Sequence, residues 1–113
     1  GGTKQTERRY AVALTKIDSY AVMYSANAFS PRIWLKNEGR WIGQLIFKPN
    51  GAALPPDTNT SGSVNLYYHL DDFQNAIDLL RNEGPLFLLY SGSGGGNENG
   101  IKTTQEMVGE GET

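Results

Sequence analysis

The sequence predicts an α+β fold: a curved antiparallel sheet of about four strands, followed by one packed helix and a C-terminal hairpin. Three observations support this order. Strand-like alternation of apolar and polar residues dominates as far as Lys48, one stretch of helical periodicity follows, and a glycine-rich segment then separates two short apolar runs. With 113 residues the chain fits a single domain over 1–113, with an ordered core over about 8–105 and an acidic tail over 106–113.

The first two strands are expected over residues 10–16 and 20–26, where Val, Leu, Tyr and Met stand between polar residues on either side of a turn at Ile17-Asp18-Ser19. The clearest hairpin joins residues 32–36 to 40–48 through Asn37-Glu38-Gly39, a three-residue loop whose last position suits a glycine at positive φ. Pro31 and Pro49 bracket the pair, since neither can donate a ladder N–H. Residues 50–63, rich in Pro, Asn, Thr, Gly and Ser, form a long connection, and residues 64–68 a short strand.

The helix is predicted over residues 71–83. Phe73, Ala76, Ile77 and Leu80 fall at i, i+3, i+4 and i+7 and make one apolar stripe. Asp71 and Asp72 suit its positive N-terminal end, and Gly84-Pro85 stops it. Residues 86–90 read as an apolar strand, 91–100 as a glycine-rich loop and 101–104 as the returning partner. No internal repeat is present.

The hairpin also predicts faces. With Asn37-Glu38-Gly39 as the loop, Lys36 opposes Arg40, Trp34 opposes Ile42 and Arg32 opposes Gln44, and opposed residues share a face. One face then carries Ile33, Leu35, Trp41, Gly43, Leu45 and Phe47, apolar enough to hold the helix stripe. The other carries Arg32, Trp34, Lys36, Arg40, Ile42, Gln44, Ile46 and Lys48. In the following strand, Val64, Leu66 and Tyr68 face the helix, leaving Asn65, Tyr67 and His69 outward.

Cations interleaved with an indole make a face suited to single-stranded nucleic acid, because Lys and Arg follow phosphates while exposed rings stack on bases. Single-stranded DNA or RNA is the first ligand this face suggests, with Arg32, Trp34, Lys36, Arg40, Lys48 and Tyr67 as contacts. The second reading is a self-associating structural or protein-interaction domain, in which Trp34, Ile42 and Ile46 meet another subunit. A homo-oligomer, dimer or higher, is expected, and both readings hold if a dimer composes the surface.

Charge is distributed unevenly beneath a formal net value of −2. Residues 1–56 hold eight cations against three acids, +5, whereas residues 57–113 hold two against nine, −7. Such asymmetry favours a polyanion-facing surface with an acidic counterpart. The tail acids Glu106, Glu110 and Glu112 read either as a solvated tail or as competitors for the basic face.

Other chemistries find little support. The chain has no cysteine, which removes disulfides, thiolate metal sites and thiol nucleophiles. No stretch approaches the roughly 20 apolar residues of a membrane span, the polar start does not read as a signal peptide, and a cytoplasmic location is expected. In residues 91–103, Gly95 and Gly100 have the spacing of a phosphate-binding loop, but Ile101 stands where its lysine belongs and no helix follows. His69 is the only histidine and has no second ligand or relay partner. Asp71 and Asp72 suit capping better than paired acid–base work. The domain therefore reads as non-enzymatic, with no catalytic residue, metal or cofactor.

Strands followed by one packed helix, with a basic aromatic sheet face, resemble the Whirly-type single-stranded-DNA-binding fold over about residues 20–83. The resemblance implies a curved antiparallel sheet backed by helices, and oligomers that present their sheets to DNA. It rests on element order, since the Lys-Gly-Lys-Ala-Ala-Leu segment of plant Whirly proteins is absent here, and it transfers no site residue.

Overall fold

Period-two alternation governs most of the chain, and it builds two sheets rather than one. The computed structural model describes residues 13–94 and 96–104. Strands β2 (Ser19–Met23), β3 (Arg32–Asn37), β4 (Arg40–Lys48), β6 (Ser63–His69) and β5 (Thr58–Thr60) lie side by side in that order as a five-stranded sheet. Strands β1 (Ala13–Ile17), β7 (Leu86–Tyr90) and β8 (Gly100–Thr103) form a three-stranded sheet in that order. A 3-10 turn at Leu70–Asp72 leads into helix α1, Phe73–Asn82. The α+β class and the late helix are as expected; the strand count and pairing are richer.

The expected first hairpin does not form. A single residue, Asp18, separates β1 from β2, which is too few to close an antiparallel pair. Asp18 instead redirects the chain from one sheet to the other. Its N–H donates to Lys36 O at 2.9 Å, and its carboxylate accepts from Glu38 N at 2.6 Å and Ser19 Oγ at 3.3 Å. β1 then pairs with β7, Ile17 opposite Leu86, while β2 pairs with β3. Residues 10–12 of the expected first strand and the acidic tail over 106–113 lie outside the described residues.

The five-stranded sheet is mixed, not purely antiparallel. β4 and β6 run parallel, from Gly43 opposite Val64 to Lys48 opposite His69, because the segment after Pro49 carries the chain back before β6 begins. β5 pairs antiparallel with β6 through a two-residue turn at Ser61 (φ 53°) and Gly62 (φ 87°). Parallel pairing requires such a return, and it accounts for the long connection seen in the sequence.

Both α1 and the three-stranded sheet cover one face of the five-stranded sheet. Ile33, Leu35, Leu45, Phe47 and Leu66 are fully buried there, joined by Ile17, Leu86 and Leu88 from the smaller sheet and Ala76 from α1. Phe73 packs edge-on against Phe47 with ring centroids 4.9 Å apart. Each large apolar side chain so buried contributes about 1.5–3 kcal/mol. The expected inner set Val64, Leu66 and Tyr68 faces this core.

The glycine-rich loop after β7 is held by side-chain amides. Asn99 Oδ1 accepts from Ser91 N at 2.6 Å, its Nδ2 donates to Gly92 O and Asp57 Oδ2 at 2.9 Å each, and Asn97 Nδ2 donates to Ser93 O at 3.0 Å. The loop returns directly into β8 and opens no helix, so it lacks the helix N-terminus a phosphate loop needs. Among the described residues, no helix is long and apolar enough to cross a membrane.

Candidate nucleic-acid interface

The outer face of the five-stranded sheet is organised by a bulge that the sequence pattern hides. Asn37 opposes Arg40, leaving Glu38 (φ 53°) and Gly39 (φ 79°) as a two-residue turn of the type favoured in hairpins. Lys36 then opposes Trp41, but Leu35 opposes Gly43, so Ile42 is an extra residue in β4. The expected three-residue loop is corrected, and so are the faces near it.

Ile42 turns into the core at 8% exposure, while Trp41 emerges on the outer face at 55%. Ile42 is therefore unavailable to the expected subunit contact, which keeps only Trp34 and Ile46. Arg40 pairs with Asn37 and, by alternation, points away from Lys36 and Trp41. It leaves the set of outer-face cations, because the shorter turn moves it one position relative to Lys36.

Arg32, Trp34, Lys36, Lys48 and Tyr67 remain on the outer face. Trp34 opposes Gln44 and Arg32 opposes Ile46, which lies beside Tyr67 in β6. Lys48 lies beside His69 at the far end of the same face. There the His69 Nε2–H donates to Ala52 O at 2.7 Å, tying the return segment to the sheet. Tyr67 N donates to Asp57 Oδ1 at 2.9 Å, a second tie.

The bulge brings Trp34 and Trp41 together edge-on, with ring centroids 6.4 Å apart at 62°. Each ring carries a cation: the Arg32 guanidinium lies 5.4 Å from the Trp34 centroid and Lys36 Nζ 4.6 Å from that of Trp41. Such contacts attract cation to ring by about 0.5–1 kcal/mol each at exposed positions. Arg32 Nε is buried and has no hydrogen-bond partner among the described residues.

Outward positions along β4 are Trp41, Gln44, Ile46 and Lys48, so the bulge widens the interval between Trp41 and Gln44. A groove of about 410 Å³ opens there, lined by Trp34, Trp41, Gly43, Gln44 and Ser63. Gln44 Nε2 donates to Asn65 Oδ1 at 3.0 Å, and Asn65 Nδ2 donates to Thr58 Oγ1 at 3.1 Å. Trp41, Gln44 and Ser63 escaped the sequence reading as site residues. The usable signal was Glu38-Gly39, which also reads as a two-residue turn.

A second groove, about 460 Å³, separates α1 from β8, with Tyr68, Asp72, Asn75, Leu79, Glu98 and Lys102 among its lining residues. Burial pushes the Tyr68 phenol up to about 12, and the negative charges of Asp57 and Asp72 add to the rise. This side is acidic where the outer sheet face is basic.

No family model matches the sequence, no curated protein matches it, and no solved structure matches the fold.

Proposed function

We propose that this domain is a non-enzymatic binding module that takes single-stranded nucleic acid on the outer face of its five-stranded sheet. The observation that carries the reading is the Trp34–Trp41 corner with Arg32 and Lys36 set against its rings. Bases stack on the two indoles, each stacked base being worth about 1–3 kcal/mol. Arg32, Lys36 and Lys48 follow the phosphates, and Tyr67 offers a further ring along the same face. The stacking is indifferent to base identity and the cations to sugar, so both DNA and RNA fit this face.

Fluorescence titration with oligonucleotides at several salt concentrations tests the reading. Binding quenches tryptophan emission, and three phosphate contacts give a slope of log K against log salt of about −2. No binding at low ionic strength rejects it. Light scattering on the same samples follows self-association through Trp34 and Ile46, the competing use of the face.

A further inference from the structure

Resting on that reading, we infer that Gln44 selects among bases, preferring those with an exocyclic amino group that can reach its carboxamide oxygen. The groove beside Trp34 and Trp41 would otherwise be an indifferent stacking site, since every base has a flat apolar face. Gln44 changes that because its amide is not free to turn.

Its nitrogen donates to Asn65 Oδ1, and Asn65 in turn donates to Thr58 Oγ1, so three strands share one chain of hydrogen bonds. Trp34 opposes Gln44 on β3, and Asn65 lies beside it on β6, on the other side. With its nitrogen engaged toward β6, Gln44 lines the groove beside Trp34 and Trp41. No hydrogen bond to Gln44 Oε1 is formed among the described residues, leaving an oriented acceptor beside the stacking rings.

An acceptor fixed in this way distinguishes base edges. Cytosine, adenine and guanine each carry an exocyclic amino group that can be presented to it. Thymine and uracil present an N–H flanked by two carbonyl oxygens, which oppose the amide oxygen. The bulge at Ile42 supplies the room, and the ladder through Asn65 supplies the orientation.

Cytosine and uracil make the cleanest comparison, because their rings match in size and stacking area. Wild-type protein is titrated with oligo-dC and oligo-dU of equal length at one salt concentration, following tryptophan quenching. Oligo-dC is expected to bind about fivefold more tightly, the effect of one well-placed hydrogen bond. An oligonucleotide of 2-pyrimidinone, which lacks only the amino group of cytosine, should bind as oligo-dU does. Gln44→Leu should bring oligo-dC and oligo-dU to equal affinity while binding of oligo-dU persists. Equal affinity of oligo-dC and oligo-dU for the wild type, or tight binding of the 2-pyrimidinone oligonucleotide, overturns the inference and leaves the stacking platform standing. A preference that survives in Gln44→Leu also overturns it. Failure of every oligonucleotide to bind removes both the platform and the selectivity. The 2-pyrimidinone arm uses unaltered protein, so it stands even if Gln44→Leu does not fold.

Discussion

Trp34 and Trp41 meet edge-on across β3 and β4, at 6.4 Å and 62°, because one residue between Trp41 and Gly43 has no partner on the facing strand. Without that extra residue, strict alternation would send Trp41 into the core and Ile42 out. The basic aromatic face thus depends on a local break in pairing as much as on composition.

Ile42 and Trp41 should respond oppositely to truncation. Ile42→Ala removes a core side chain and is expected to cost about 2–4 kcal/mol, seen as a lower urea midpoint. Trp41→Ala, at an exposed position, should leave the midpoint nearly unchanged yet weaken oligonucleotide binding by at least about fivefold. Equal stability losses in the two variants would contradict the bulge.

Glu38 holds φ 53°, a region where asparagine is more at ease than glutamate. Glu38→Asn keeps the backbone N–H that Asp18 accepts and should stabilise the domain by about 0.5–1 kcal/mol. A three-residue loop would show no such gain in melting temperature.

Gly43 is required by close packing. A Cβ there would lie 2.6 Å from the Val64 carbonyl oxygen and 3.0 Å from Leu88 Cδ2. Gly43→Ala must therefore push β6 or the smaller sheet away, at about 1–3 kcal/mol by denaturant titration. Unchanged stability would show that the two sheets do not press together at this point.

Asn99 ties the loop after β7 to itself and to Asp57. Asn99→Ala is expected to cost about 1–3 kcal/mol, because Ser91 N–H loses its acceptor. Amide hydrogen exchange should quicken at Ser91 and along β8 first. Uniform loss of protection across both sheets would assign Asn99 a wider role.

Tyr68 makes stability fall in alkali. Its phenol titrates at about 12 in the folded protein against 10.0 in the reference state, so the unfolded chain releases the proton first. This contribution is intact below pH 10 and is lost as pH rises from 10 to 12, by up to about 3 kcal/mol at roughly 1.4 kcal/mol per unit. Denaturant titrations at pH 9 and pH 11.5 should show a steeper loss for wild type than for Tyr68→Phe. Parallel losses would place the titrating group elsewhere.

Much of the fold was legible because it is written in local periodicity. The stripe Phe73, Ala76, Ile77 and Leu80 located the helix to within a residue or two, and the alternation in Val64, Leu66 and Tyr68 identified their inward side. Pairing partners were not legible. A strand shows which residues share a face but not which strand lies beside it, so β1 leaving β2 for β7 and β6 lying parallel to β4 left no local mark.

Composition and periodicity by themselves determined an α+β domain, a helix that must be covered on one side, and a sheet bearing Arg32, Trp34, Lys36 and Lys48 outward. The tertiary structure alone decided that Trp41 joins them, that Arg40 and Ile42 do not, and that Gln44 is held by Asn65. The physical reason lies in the period of a strand. One unpaired residue inverts every side chain on one side of it, and whether that residue exists is settled by pairing across strands and by the core that Ile42 fills.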